Sequence, residues 1–162
     1  MEWLDQLRIG SVERTLAGLD SLARRSRRGA EMPGHLLTGI EGEEAAYFYL
    51  RRKGYTIVAR RWSSGTSLGD IDLIAWQGPM LCIVEVKTRS AHNIVPAEAA
   101  VDSQKRQILR RLARQYVRQL PHGTAPQVRF DVISVYLVPE QEREFLHLEN
   151  AFGWNERRQD WE

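Results

Sequence analysis

An α/β or α+β sandwich in miniature, ordered helix, three strands, helix, strand, is the fold class that the sequence predicts. Three observations point to it. A charge-polarised helical segment precedes three short β-rich runs, a long amphipathic basic helix follows them, and a near-continuous apolar run closes the core. At 162 residues the chain has room for one globular unit with an appendage. We divide it into a helical and basic N-terminal extension (1–37), a core domain (38–150) and a C-terminal tail (151–162).

The first segment spaces Leu4, Leu7, Leu16, Leu19 and Leu22 loosely at helical intervals and ends in the run ARRSRRG. Pro33, Gly34 and Gly39 then make a boundary, because proline and glycine interrupt helices. From Gly39 to Lys53, GIEGEEAAYFYLRRK predicts a helix with acids in its first turn, bases in its last and Gly54 as the stop. On its wheel Glu43 shares the inward face with Ala46, Tyr47 and Leu50, so this carboxylate needs a partner.

Three strands follow: Tyr55 to Trp62, Asp70 to Trp76 and Met80 to Arg89, the last two joined by a Gly-Pro turn. They predict an antiparallel meander. In the third run Leu81, Ile83, Glu85, Lys87 and Arg89 project to one face, and Cys82, Val84 and Val86 to the other. A helix from Ser103 to Leu120, capped by Asp102 or Ser103, carries an apolar stripe of Leu109, Leu112, Ala113, Tyr116, Val117 and Leu120. VRFDVISVYLV reads as a core strand and EFLHLENAF as a shorter candidate strand, with a loose tail from Gly153.

Composition excludes several classes. The only cysteine, Cys82, rules out an intramolecular disulfide or a Cys-based zinc site, and points to the cytoplasm. No apolar run approaches the roughly 20 residues of a membrane helix, and the first residues lack the apolar stretch of a signal peptide. The net charge is +2, but the 23 Lys and Arg are clustered, which speaks to a polyanionic partner more than the total does.

The chemistry sits in Asp72 on one strand, Glu-Val-Lys (85–87) on the next, and Glu43 on the upstream helix. Hard cations such as Mg²⁺ take carboxylate oxygens plus substrate phosphate, and Lys87 adds a compact charge that orients water and stabilises developing negative charge. Asp72 and Glu85 share a face only if the hairpin loop holds an even number of residues; a four-residue loop, Gln77 to Met80, satisfies this. Glu-x-Lys alone arises by chance in about half of chains this long. The weight therefore rests on the combination, and a structural ion-pair network competes with it.

The segments GIEGEEAAYFYLRRKGY, LGDIDLIAW, LCIVEVKTR, PAEAAVDSQKRQILRRLARQY and VRFDVISV resemble the YraN family of bacterial proteins, similar in turn to archaeal Holliday junction resolvases. The match spans roughly Thr38 to Val138. The resemblance implies a restriction-endonuclease-like fold of the PD-(D/E)xK group, a mixed central sheet flanked by helices. Glu43, Asp72, Glu85 and Lys87 take its acidic and lysine positions, with Mg²⁺ or Mn²⁺ as cofactor. The chain departs from the family pattern at Asp70, where Gly-Glu-Ile-Asp is usual, and the arm before Thr38 lies outside it.

The longer helix carries Arg106, Arg110, Arg111, Arg114 and Arg118 across an arc opposite its apolar stripe, suited to a phosphate backbone, with Lys105 at its start in support. Arg51, Arg52, Lys53, Arg60 and Arg61 form a second basic cluster, and Arg24, Arg25, Arg27 and Arg28 a third. Arg129 and Asp131 read as a structural ion pair, and none of the four scattered histidines as catalytic. Trp3, Trp154 and Trp161 suit either base stacking or a subunit contact. Together with the resemblance, these residues predict a Mg²⁺-dependent endonuclease on branched or structured DNA, with Asp72 and Glu85 as metal ligands, Glu43 as an outer or additional ligand and Lys87 activating water. By analogy it is a homodimer. The alternatives are a non-cutting nucleic-acid-binding adaptor for a helicase-type partner and a purely structural charge network.

Overall fold

The computed structural model describes residues 34–65, 69–91 and 101–155. Helix α1 (Gly34–Arg52) leads into strands β1 (Thr56–Trp62), β2 (Ile71–Gln77) and β3 (Met80–Arg89). Helix α2 (Ser103–Arg118), β4 (Gln127–Tyr136) and β5 (Glu144–Phe152) follow. The strands form one mixed five-stranded sheet in sequential order, antiparallel except where β4 runs parallel to β3. That parallel pair needs a crossover, and α2 lies in it. The expected α/β order and mixed sheet are present, and the short candidate strand is a full nine-residue β5.

Alternation along β3 divides the core into two layers. Cys82, Val84 and Val86 pack with Ala45, Ala46 and Leu50 of α1, whereas Leu81 and Ile83 pack with Leu109, Leu112 and Ala113 of α2. The helices therefore cover opposite faces of the sheet. Glu85 and Lys87, in phase with Leu81 and Ile83, lie on the α2 face, at the C-terminal end of β3.

Two local expectations need correction. Helix α1 starts at Gly34, not Gly39, directly after Pro33, where a proline removes no helical hydrogen bond; its acids thus sit mid-helix, and none is in the first turn. Its end is as expected: Gly54 adopts φ +85°, and Tyr55 N–H reaches back to the Leu50 carbonyl at 3.0 Å while Gly54 N–H bonds Arg51 at 3.1 Å, the Schellman pattern. The β2–β3 hairpin closes with two residues, Gly78 and Pro79, because Gln77 and Met80 themselves pair. Both loop lengths are even, so the register is unchanged. Strand β5 spans the expected EFLHLENAF, and the Phe152 ring at its end stacks on Phe130 at 4.8 Å between centroids.

Gly42 explains how closely α1 approaches the sheet. A Cβ there would run into the Thr88 side chain of β3, while a Cβ at Gly39, three residues earlier, would meet open space. Gly39→Ala is accordingly expected to raise stability by up to about 1 kcal/mol through helix propensity. Gly42→Ala should lower it by about 1–3 kcal/mol through overpacking, despite the same propensity gain. Paired thermal melts of the two variants check this.

Candidate active site

The β2–β3 register places Leu73 opposite Val84. Asp72 and Glu85 are the next residue on each strand beyond that pair, in phase across the even loop, and the Glu85 charge acts on Asp72. An Asp72 oxygen, Oδ2, accepts a hydrogen bond from Val86 N–H at 2.6 Å, which fixes the carboxyl against β3. Glu85 is 3% exposed, an extreme burial for a carboxylate, which requires cationic compensation. Lys87 Nζ donates to Glu85 Oε1 at 2.9 Å from the same strand face, and Lys105 Nζ stands 3.1 Å from Oε2.

Lys105 arrives from the first turn of α2. Asp102 caps that turn, its Oδ1 accepting from Lys105 N–H at 2.8 Å, which aims the side chain across the sheet toward the Asp70 carbonyl, 3.4 Å from Nζ. Read from sequence as a support residue at a helix start that can reach toward the site, Lys105 stands beside the acidic cluster. Burial opposes its charge, but Glu85 with Asp72 and Asp70 outweighs burial and raises its pKa. Asp72 moves the other way for a carboxyl: burial first, and then the neighbouring Glu85 charge, push it up to about 7.

Glu43 approaches from α1, on the opposite face of the sheet. It is held by a bidentate pair with Arg61, Nε to Oε2 at 2.6 Å and Nη2 to Oε1 at 2.9 Å, and its charge still reaches Asp72. Arg61 holds φ +47°, a left-handed conformation costly for a residue with a Cβ, at the far end of β1. Sequence reading counted Arg61 only within a basic cluster. No local signal reveals that an arginine will turn left-handed, although Gly42, an isolated glycine inside a helical segment, does flag the close approach next to Glu43.

Asp72, Glu85, Lys87 and Lys105 thus converge, with Glu43 behind them and engaged. Among the described residues no three carboxylates, histidines or cysteines form a ready-made metal cage. The donor set that remains is two hard carboxylates, and Mg²⁺ is commonly held by one or two of these together with substrate phosphate. Glu85 Oε2 fits this role: it is buried and, although near Lys105, makes no hydrogen bond of ordinary geometry.

The basic arc on α2 divides. Arg110 is buried, its Nε donating to the Gly153 carbonyl at 2.8 Å and its guanidinium 5.4 Å from the Phe152 ring centre, so it does not belong to the exposed arc expected of it. Arg106 donates to the Val101 carbonyl at 2.8 Å and also lies over Phe152. Phe152 at the end of β5, which no helical wheel includes, lies under both guanidinium groups. Arg111, Arg114 and Arg118 are exposed, Arg114 resting over Trp154 at 5.2 Å. Arg129 and Asp131 form the expected structural pair, enlarged by His147. Of the other residues singled out, Trp3, Trp161 and Arg24 to Arg28 lie outside the described residues.

Residues 42–135, which contain every one of these site residues, match uncharacterised protein family UPF0102. Relatives bearing that name match over 120–122 residues. One from Koribacter versatilis is 49% identical over 120 residues, covering 74% of this chain and 82% of its own length. Another from Solibacter usitatus is 43% identical over 122 residues, covering 75% and 88%, and one from Porphyromonas gingivalis 40% identical over 122, covering 75% and 87%. On the extent of the family match and on these identities, the chain belongs to uncharacterised protein family UPF0102.

Proposed function

We propose that this protein is an endonuclease that hydrolyses phosphodiesters of structured or branched DNA with Mg²⁺ or Mn²⁺. One observation carries the reading: two carboxylates on neighbouring strands, Asp72 and Glu85, lie together beside two lysines, and burial with the Glu85 charge pushes the Asp72 carboxyl up to about 7. Asp72 and Glu85 would hold the ion, with Glu43 as an outer or additional ligand. A bound divalent ion supplies Lewis-acid stabilisation and a more acidic water. Lys87, tied to Glu85 at 2.9 Å, orients the attacking water and stabilises charge on the phosphate.

Arg111, Arg114 and Arg118 offer the exposed charge along which a strand would track, while Arg106 and Arg110 stiffen the helix that carries them. Resemblance to junction resolvases favours a twofold homodimer, since paired strands need paired sites, and the single cysteine favours a cytoplasmic place of work. Among the described residues no helix is long and apolar enough to cross a membrane. A second reading, a non-cutting adaptor that binds nucleic acid, draws on the lysines already beside both Glu85 oxygens.

Cleavage of labelled duplex, single strand, flap, fork and four-way junction with Mg²⁺ or Mn²⁺ separates the two. Metal-dependent cutting, reduced by about 100-fold or more in folded Glu85→Ala and Lys87→Ala, is expected. Binding without cutting on every substrate would replace the enzyme with the adaptor.

A further inference from the structure

Glu85 is flanked by two lysines that are held in different ways. Lys87 belongs to the same strand and makes a well-formed hydrogen bond to Oε1 at 2.9 Å. Lys105 comes from α2, stands 3.1 Å from Oε2, and its approach lies off the line of a hydrogen bond, leaving that oxygen without a directed donor. Its ammonium is also 3.4 Å from the Asp70 carbonyl and within electrostatic reach of Asp72. A carboxylate, a backbone carbonyl and a second carboxylate are the oxygen types that a hard divalent ion takes.

Resting on the metal-centred reading above, we propose that Lys105 is a resident counter-cation that keeps the divalent site closed until a phosphate draws its ammonium away. The geometry supports release as well as occupancy. The Asp102 cap fixes the backbone of Lys105, but the side chain is a four-carbon stem, 26% exposed, whose ammonium stands 3.1 Å from Glu85 Oε2. Two positive ions repel strongly when they share the same oxygens at low effective dielectric, so the ammonium and the metal exclude one another. A nucleic-acid phosphate is a better acceptor for the lysine than the carbonyl of Asp70, and its arrival adds a metal ligand at the moment the lysine leaves. Metal and substrate would then load together, which restrains the free protein from holding a reactive ion. Lys105 is on this account a positioning residue acting through Glu85.

Binding of Mn²⁺ to the full chain without nucleic acid, followed by titration calorimetry and by the electron paramagnetic resonance of free Mn²⁺, tests the proposal without any activity readout. Lys105→Met is expected to bind Mn²⁺ about tenfold or more tightly than wild type, with Lys105→Arg unchanged. The gain should vanish when Asp72→Asn is added. Lys105→Gln, which also lacks the charge, serves in the same assay if circular dichroism shows the methionine variant unfolded. Equal or weaker binding by the uncharged variants would overturn the gate and leave the nuclease reading standing. No binding by any of the proteins at millimolar Mn²⁺ would overturn both.

Discussion

Replacing Asp72 by asparagine is expected to abolish metal-dependent cleavage and, at the same time, to make the protein more stable at pH 8. The two effects share one cause. Burial and the facing Glu85 raise the Asp72 carboxyl from 3.8 to about 7, so its ionised form is disfavoured in the folded state. The folded chain therefore binds more protons than the unfolded chain between those two values. The contribution of Asp72 to stability is fully present below pH 3.8 and is lost as pH rises through about 7. Asparagine is neutral at every pH, keeps an oxygen to accept from Val86 N–H, and avoids the repulsion. Allowing for partial exposure and for coupling to Glu85, the gain at pH 8 is on the order of 2–3 kcal/mol, shrinking toward pH 4. Urea melts of wild type and Asp72→Asn across that range read it directly. A catalytic site that keeps a carboxylate where burial and a neighbouring carboxylate disfavour its charge predicts this exchange of stability for function. A satisfied structural network predicts the opposite, a loss of stability with Asn at every pH.

Asp131→Ala is expected to destabilise the fold by about 3–5 kcal/mol without any metal dependence. Its side chain is fully buried and accepts from Arg129 Nε at 2.8 Å and Nη2 at 2.9 Å, and from Asn150 N–H at 2.9 Å, with His147 Nε2 at 3.1 Å. Asn150 lies at φ +54° where the β4–β5 pairing shifts register, so the carboxylate satisfies an amide that the bulge takes out of the ladder. Removing it strands the Arg129 charge, whose remaining partners are the Tyr55 hydroxyl and the half-exposed Glu149. Arg129→Met with Asp131→Leu should recover much of the loss, because deleting both charges leaves neither uncompensated. Burial acts to raise the Asp131 carboxyl, but its hydrogen bonds and Arg129 together hold it below 3.8. Its stabilisation is thus present above pH 3.8 and is lost only as pH falls through the lower folded-state value, the reverse of Asp72. Denaturant melts of the single and double variants, repeated at low pH, check both points.

Sequence by itself determined what repeats along one element. Period-2 alternation put Glu85 and Lys87 on a common face, an even loop kept Asp72 and Glu85 in phase, and capping chemistry placed the start of α2 at Asp102 or Ser103 and the stop of α1 at Gly54. These follow from the local geometry of strands, turns and helix ends, which depends on nearby residues alone. The family resemblance joined these residues to a match now seen over positions 42–135. Tertiary structure alone decided which charges meet across elements. It turned Lys105 onto Glu85, clamped Glu43 with a left-handed Arg61, drew Arg110 under the chain end after β5, and set α1 close against Thr88 through Gly42. A helical wheel or a strand pattern specifies direction around one axis and carries no distance to another. Long, flexible lysine and arginine side chains settle wherever packing leaves a buried oxygen uncompensated, and that place exists only once the layers have assembled.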